Sequence, residues 1–138
     1  MNIGILCGVW DLFHVGHLRA IKKARKLCDF LIVGVNSDKL CREYKGRLPV
    51  IPQKQRKEII EALKEVDQTV IVNSMDRRFL FHWHKVCTVF AGESWKNSER
   101  YQKYQKQMPD IKFVFLPETE GVNSSIIINS IRYGKNGI

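Results

Sequence analysis

Cys7-Gly8-Val9-Trp10-Asp11-Leu12-Phe13-His14-Val15-Gly16-His17-Leu18-Arg19 is the stretch from which the fold of this chain can be read. It follows an apolar run at Ile3, Ile5 and Leu6 that reads as a short strand, and it leads into Ala20 to Leu27, which reads as a helix. A strand that turns at a glycine into a helix leaves unpaired backbone N–H groups at the helix start. There they and the helix dipole attract a phosphate. His14 and His17 would flank that anion site, with Gly16 between them so that no Cβ bars a ligand from the backbone. Imidazole N–H groups aimed at phosphate oxygens suit a reaction in which negative charge builds up, as in phosphoryl or nucleotidyl transfer. A metal site is the competing reading, but helical zinc histidines are usually spaced four apart, and no Cys or His cluster elsewhere supplies further ligands.

Outward from this stretch, apolar runs alternate with helical patterns. Phe30 to Val35 reads as a second strand, Thr69 to Val72 as a third, Val86 to Ala91 as a fourth and Phe113 to Leu116 as a fifth. Lys54 to Lys64 is the clearest helix between them, with Ile59, Ile60 and Leu63 on one apolar face. Near-continuous apolar strands separated by helices predict a doubly wound parallel sheet of about five strands, covered on both sides. Such sheets bind ligands at the carboxyl edge of their strands, near the point where strand order reverses. His14 and His17 fall at that edge.

Length and composition fit one globular domain spanning 1–138. The chain has 138 residues, 44% hydrophobic and 27% charged. No apolar run approaches the roughly 18 residues of a membrane span and no secretory leader is evident, so membrane insertion is not expected and the cytoplasm is the expected compartment. Cys7, Cys28, Cys41 and Cys87 are scattered without paired spacing, which argues against a disulfide framework or a thiolate metal site. The net charge of +9 points to a polyanionic partner. With no nucleic-acid-binding motif and several basic residues beside the anion site, a small phosphorylated ligand fits better than nucleic acid.

Gly8 to His17 resembles the signature of the HxGH nucleotidyltransferase superfamily, and in particular its cytidylyltransferase branch. The resemblance runs over nearly the whole chain and implies a Rossmann-like fold. It implies a nucleotide site formed by Gly8, Val9, Trp10, Asp11 and Gly16. Asn36-Ser37-Asp38 is similar to the helix cap that follows the family's second strand. Tyr44 to Pro52 reads as a loop, in which Lys45 matches a lysine that reaches the triphosphate and the incoming phosphate. Arg56 matches an arginine that opens the family's next helix and contacts phosphate. Asp67 has a counterpart that is as readily structural as catalytic. Asp76 to His84 is the least informative region, and packing is the better reading of His82 and His84, although the segment varies with substrate in the family and so can line the acceptor pocket.

Gly92-Glu93-Ser94-Trp95-Lys96 resembles the Gly-Asp-Asp-Trp-Lys segment of the glycerol-3-phosphate type, which implies that Gly92, Glu93 and Trp95 lie near the base and ribose. Glu93 and Ser94 stand in place of the two aspartates. Ser98 reads as a helix cap, with Tyr101 and Tyr104 structural. Glu118 to Ser125 is similar to the family's Arg-Thr-x-Gly-Ile-Ser-Thr-Thr, which implies that Thr119, Gly121, Val122, Asn123, Ser124 and Ser125 hold the triphosphate. Glu118 stands where the family often has a phosphate-binding arginine. A carboxylate ~4 Å from a phosphate costs on the order of 4 kcal/mol in a partly dry site. Either Glu118 turns away and other basic residues such as Arg132 or Lys135 compensate, or the site is weakened.

Together these readings imply transfer of CMP from CTP to a phosphomonoester alcohol, with glycerol 3-phosphate or a related polyol phosphate the best match. His14, His17, Lys45 and Arg56 would be the catalytic residues. Mg²⁺ would be held mainly by the triphosphate, with no protein metal site, and the resemblance implies a homodimer. The alternatives are a phosphoethanolamine or phosphocholine cytidylyltransferase, an adenylyltransferase of the same fold, and a non-catalytic nucleotide-binding module.

Overall fold

The computed structural model describes residues 1–134. Five strands form one all-parallel sheet: β1 (Ile3–Gly8), β2 (Phe30–Asn36), β3 (Gln68–Val72), β4 (Thr88–Gly92) and β5 (Lys112–Leu116). Their order is β3-β2-β1-β4-β5, so the chain winds outward one way from β1, then crosses back to its other side. The reversal lies between β1 and β4, where Gly4 pairs with Thr88 and Leu6 with Phe90.

The alternation of side chains along each strand decides which helix packs where. Leu6, Leu31, Val33, Val35 and Phe90 join Ile21 and Ala24 of α1 (Val15–Lys26) and Ile60 on one face. Ile5, Ile32, Val89 and Ala91 point to the other face. There they meet Phe81, Tyr101 and Tyr104 from two later helices. The doubly wound α/β architecture anticipated from the apolar runs is therefore present. Strand four begins two residues later than anticipated. Val86 and Cys87 lie in the approach to it, with their N–H groups donating to the carbonyls of Phe81 and Ile3.

The remaining helices are α2 (Asp38–Lys45), α3 (Gln53–Glu61), α4 (Arg78–Trp83), α5 (Glu99–Gln107) and α6 (Ser124–Tyr133). Ser37 caps α2 by accepting from the N–H of Leu40, and Ser98 caps α5 through Tyr101. The segment from Tyr44 to Pro52, anticipated as loop throughout, is helical through Lys45 and ends at Gly46 with φ of 73°. On α3 the apolar face is narrower than the pattern of Ile59, Ile60 and Leu63 implied. Ile60 is fully buried, whereas Ile59 is 40% exposed. Arg56, one turn before Ile60, takes the inward position instead.

Candidate active site

The carboxyl ends of β1 and β4, the start of α1, the end of α2 and the start of α6 enclose a cleft of about 650 Å³. Sheet order brings them together, since β1 and β4 are adjacent at the reversal. His14 and His17 lie on one wall, Lys45 and Arg47 on another, and Thr119, Ser124, Ser125 and Arg132 on a third.

The two histidines form a reciprocal cap on α1. His14 Nδ1 accepts from the N–H of Gly16 at 3.1 Å, and His17 Nδ1 accepts from the N–H of His14 at 3.3 Å. A ring nitrogen that accepts a backbone N–H carries no proton, so the proton of each neutral imidazole sits on Nε2. The cap therefore fixes both tautomers and leaves two Nε2–H donors. The rings are stacked with centroids 3.7 Å apart, and Trp10 meets His17 edge-on at 5.3 Å. His17 is pushed down to about 4 by burial and by the neighbouring His14, against a weaker opposing pull from Asp11. Burial lowers His14 as well. Both rings are neutral donors at pH 7.

Gly16 lines the cleft, and its lack of a Cβ also serves this cap. A Cβ there would lie 2.9 Å from Cε1 and 3.0 Å from Nδ1 of the His14 ring. The glycine clears space for the imidazole.

Trp10 and Leu12, just before the cap, have φ of 60° and 52°. Such conformations in bulky residues cost about 1–3 kcal/mol each and persist only where surroundings enforce them. For Trp10 the enforcement is visible: its ring is 6% exposed and its indole N–H donates to the carbonyl of Gly34 at 2.9 Å. The strained turn carries Asp11 to the loop after α2, where its carboxylate accepts the N–H groups of Val50 and Ile51 at 2.8 and 2.9 Å. Asp11 thus lines the cleft but spends its oxygens holding that loop. Its carbonyl accepts from the Ser124 hydroxyl at 2.7 Å, which ties α6 to the same turn.

Arg56 is placed differently from the anticipated phosphate contact. It is 1% exposed and absent from the cleft wall. Its guanidinium donates to the carbonyls of Val9, Asn36 and Ile51 at 2.6, 2.8 and 2.8 Å and to Asp38 Oδ1 at 2.7 Å. These bonds join the ends of β1 and β2 to the loop after α2. Arg56 is a positioning residue for the cleft.

Of the other anticipated site residues, Gly8, Val9, Gly16, Gly92, Trp95, Val122 and Asn123 line the cleft. Asn123 caps α6 through the N–H of Ile126 at 2.8 Å, and the first-turn N–H groups of Ser124 and Ser125 have no partner within the helix. Gly121 stands outside the wall and serves the turn into α6 with φ of 76°. Glu93 is also off the wall, and its carboxylate accepts the backbone N–H of Glu118 at 3.3 Å. Glu118 does line the cleft, as does Arg132. Lys135 lies outside the described residues. Asp67 is structural: it accepts from the N–H of Leu31 at 2.8 Å and faces Arg25 at 3.5 Å. His84 and His82 are off the cleft, as expected.

The residue that sequence reading passed over is Arg77. It is 5% exposed and lines a recess beside the cleft. Two adjacent arginines, Arg77 and Arg78, open α4, and nothing in their spacing says which turns inward. Among the described residues no three His, Cys, Asp or Glu side chains come together as a metal site. No described helix is long and apolar enough to cross a membrane.

Known proteins agree with this geometry. A lipopolysaccharide core biosynthesis protein from Thermoplasma volcanium superimposes with a TM-score of 0.72 at 25% identity, over 86% of this chain and 97% of its own. Pantothenate synthetase from Thermus thermophilus shares the fold with a TM-score of 0.67 at 16% identity, over 99% of this chain and 65% of its own. An FAD synthase from Thermococcus sibiricus is 47% identical over 64 residues, which is 46% of this chain and 43% of that protein, so the match spans less than half of the curated relative. The sequence pattern of the cytidylyltransferase-like family extends over residues 5–130, from β1 into α6. With the two capping histidines at the head of α1 and the sheet order around them, the chain belongs to the cytidylyltransferase-like family of HxGH nucleotidyltransferases.

Proposed function

We propose that the protein transfers CMP from CTP to a phosphorylated alcohol, releasing pyrophosphate, with a phosphorylated polyol such as glycerol 3-phosphate as acceptor. The observation that carries this reading is the pair of imidazoles held as neutral Nε2–H donors in a cleft that also holds Lys45 and the start of α6. An acceptor phosphate with a second pKa near 6 is largely dianionic at neutral pH, so it needs no strong base. Its oxygen attacks the α-phosphorus in line while the bond to pyrophosphate breaks. His14 and His17 donate to oxygens on which charge accumulates, and their neutrality costs no proton. Lys45 neutralises phosphate charge where acceptor and nucleotide meet. The N–H groups and hydroxyls at the head of α6 hold the leaving pyrophosphate. Mg²⁺, when bound to the triphosphate, would spread its charge.

The FAD synthase match favours a second reading, adenylyl transfer from ATP by the same groups. Pyrophosphate release measured with CTP and with ATP, in Mg²⁺ and a panel of phosphomonoesters, separates the two. His17→Ala is expected to lose about 10²- to 10³-fold in rate, the usual cost of one oriented donor. Release from ATP alone would overturn the cytidine assignment. Nucleotide binding without release from any pair would overturn transfer itself and leave a binding module.

A further inference from the structure

Beside the cleft, and opening onto it at Gly8, Val9, Lys45, Gly92 and Trp95, lies a recess of about 230 Å³. Its far wall carries Asn36, Tyr44, Arg77, Arg100 and Tyr101. The Arg77 guanidinium donates to Asn36 Oδ1 at 3.2 Å and to the Tyr101 hydroxyl at 3.5 Å, both neutral, and its Nε has no partner. No Asp or Glu lines the recess, and no ion pair among the described residues involves Arg77. Arg100 adds a second cation to the wall, stacked over the Trp95 and Tyr101 rings at 5.1 and 5.2 Å. Lys45 stands at the opening.

A buried guanidinium with an idle donor and no counter-charge is costly, and an anion entering the recess would remove that cost. Holding α4 in place does not require the Arg77 side chain, because its backbone N–H already donates to the Tyr104 hydroxyl at 3.1 Å. His14 and His17 line the cleft and not the recess, so the reacting phosphate and the recess engage different parts of the acceptor. We infer that the recess receives the non-reacting end of the acceptor and that this end is anionic: the acceptor is a phosphomonoester carrying a second negative group, a carboxylate or another phosphate. This rests on the transfer reading above and, within the phosphorylated alcohols, moves the acceptor from glycerol 3-phosphate to a doubly anionic one. Three cations exclude an ammonium-bearing end, and the volume, below the roughly 300 Å³ at which sites enclose a drug-sized ligand, admits only a few heavy atoms and no flavin.

The test is equilibrium binding to the wild-type protein, with no turnover needed. Glycerol 3-phosphate, 3-phosphoglycerate, glycerol 1,3-bisphosphate and phosphoethanolamine are compared with and without a non-hydrolysable nucleotide. The doubly anionic ligands are expected to bind about 10- to 100-fold more tightly than glycerol 3-phosphate, the worth of a charge-assisted fork. The better of the two identifies the second group as carboxylate or phosphate. Arg77→Met is expected to abolish the preference while leaving nucleotide affinity unchanged, and Arg77→Lys to keep part of it. Equal wild-type affinity for glycerol 3-phosphate and both doubly anionic ligands would overturn the inference, whether or not the variants fold. So would a preference that survives Arg77→Met. If the preference holds but no nucleotide releases pyrophosphate, the recess stands and the transfer reading falls.

Discussion

Acidification should dismantle the imidazole cap before it denatures the sheet, and the size of the effect follows from His17. Protonation turns its Nδ1 from an acceptor into a donor facing the N–H of His14, so the 3.3 Å bond is lost and two donors oppose each other. The folded pKa of about 4 lies below the ordinary histidine value near 6.5. Between those limits the unfolded chain binds the extra proton and the folded one does not. Stability is therefore full above pH 6.5 and is lost as pH falls toward 4. At about 1.4 kcal/mol per pH unit the ceiling is ~3.4 kcal/mol, and because the ring is only partly buried the expected loss is about 2 kcal/mol. Urea unfolding from pH 7.5 to 4 measures it. His17→Gln is the reference, because glutamine at the third helical position can accept from the cap N–H without titrating. The wild-type profile should fall about 2 kcal/mol further than the variant's. Parallel profiles would mean that His17 does not titrate against the cap, and the assignment of both tautomers would go with it.

Arg56→Met removes the guanidinium that joins Val9, Asn36, Ile51 and Asp38. It should cost about 3–5 kcal/mol, seen as a melting temperature lower by on the order of 10 °C. A variant of native stability whose nucleotide affinity drops would instead make Arg56 a phosphate ligand. Glu118→Arg replaces a cleft carboxylate by a cation. By calorimetry it should tighten nucleotide binding about tenfold, at the lower end of what a charge-assisted bond is worth. Unchanged affinity would mean that the Glu118 side chain points away from the phosphates.

The strands were legible because burial on both faces demands unbroken apolar runs, and the place of the cleft was legible because a glycine turn between the first strand and its helix falls at the carboxyl edge of the sheet. What escaped were directions of polar side chains. Arg56 stands four residues before Ile60, so helical spacing placed it on the buried face, and that signal was available. Its charge argued the other way, and the carbonyls that satisfy it come from residues distant in sequence. Gly46, Pro49 and Pro52 make the Tyr44 to Pro52 segment read as a loop, yet a glycine just after Lys45 ends a helix as readily as it opens a loop. Arg77 had no such signal. Its partners, Asn36 and Tyr101, are 41 and 24 residues away, and only the folded sheet brings them together.

The bond from the Ser124 hydroxyl to the carbonyl of Asp11 spans 113 residues. All five strands precede α6, so during synthesis the sheet can pair and its apolar faces can close while the third wall of the cleft is still missing. Closing the sheet and completing the cleft are therefore separable steps in the synthesis of this chain, and the second waits for α6.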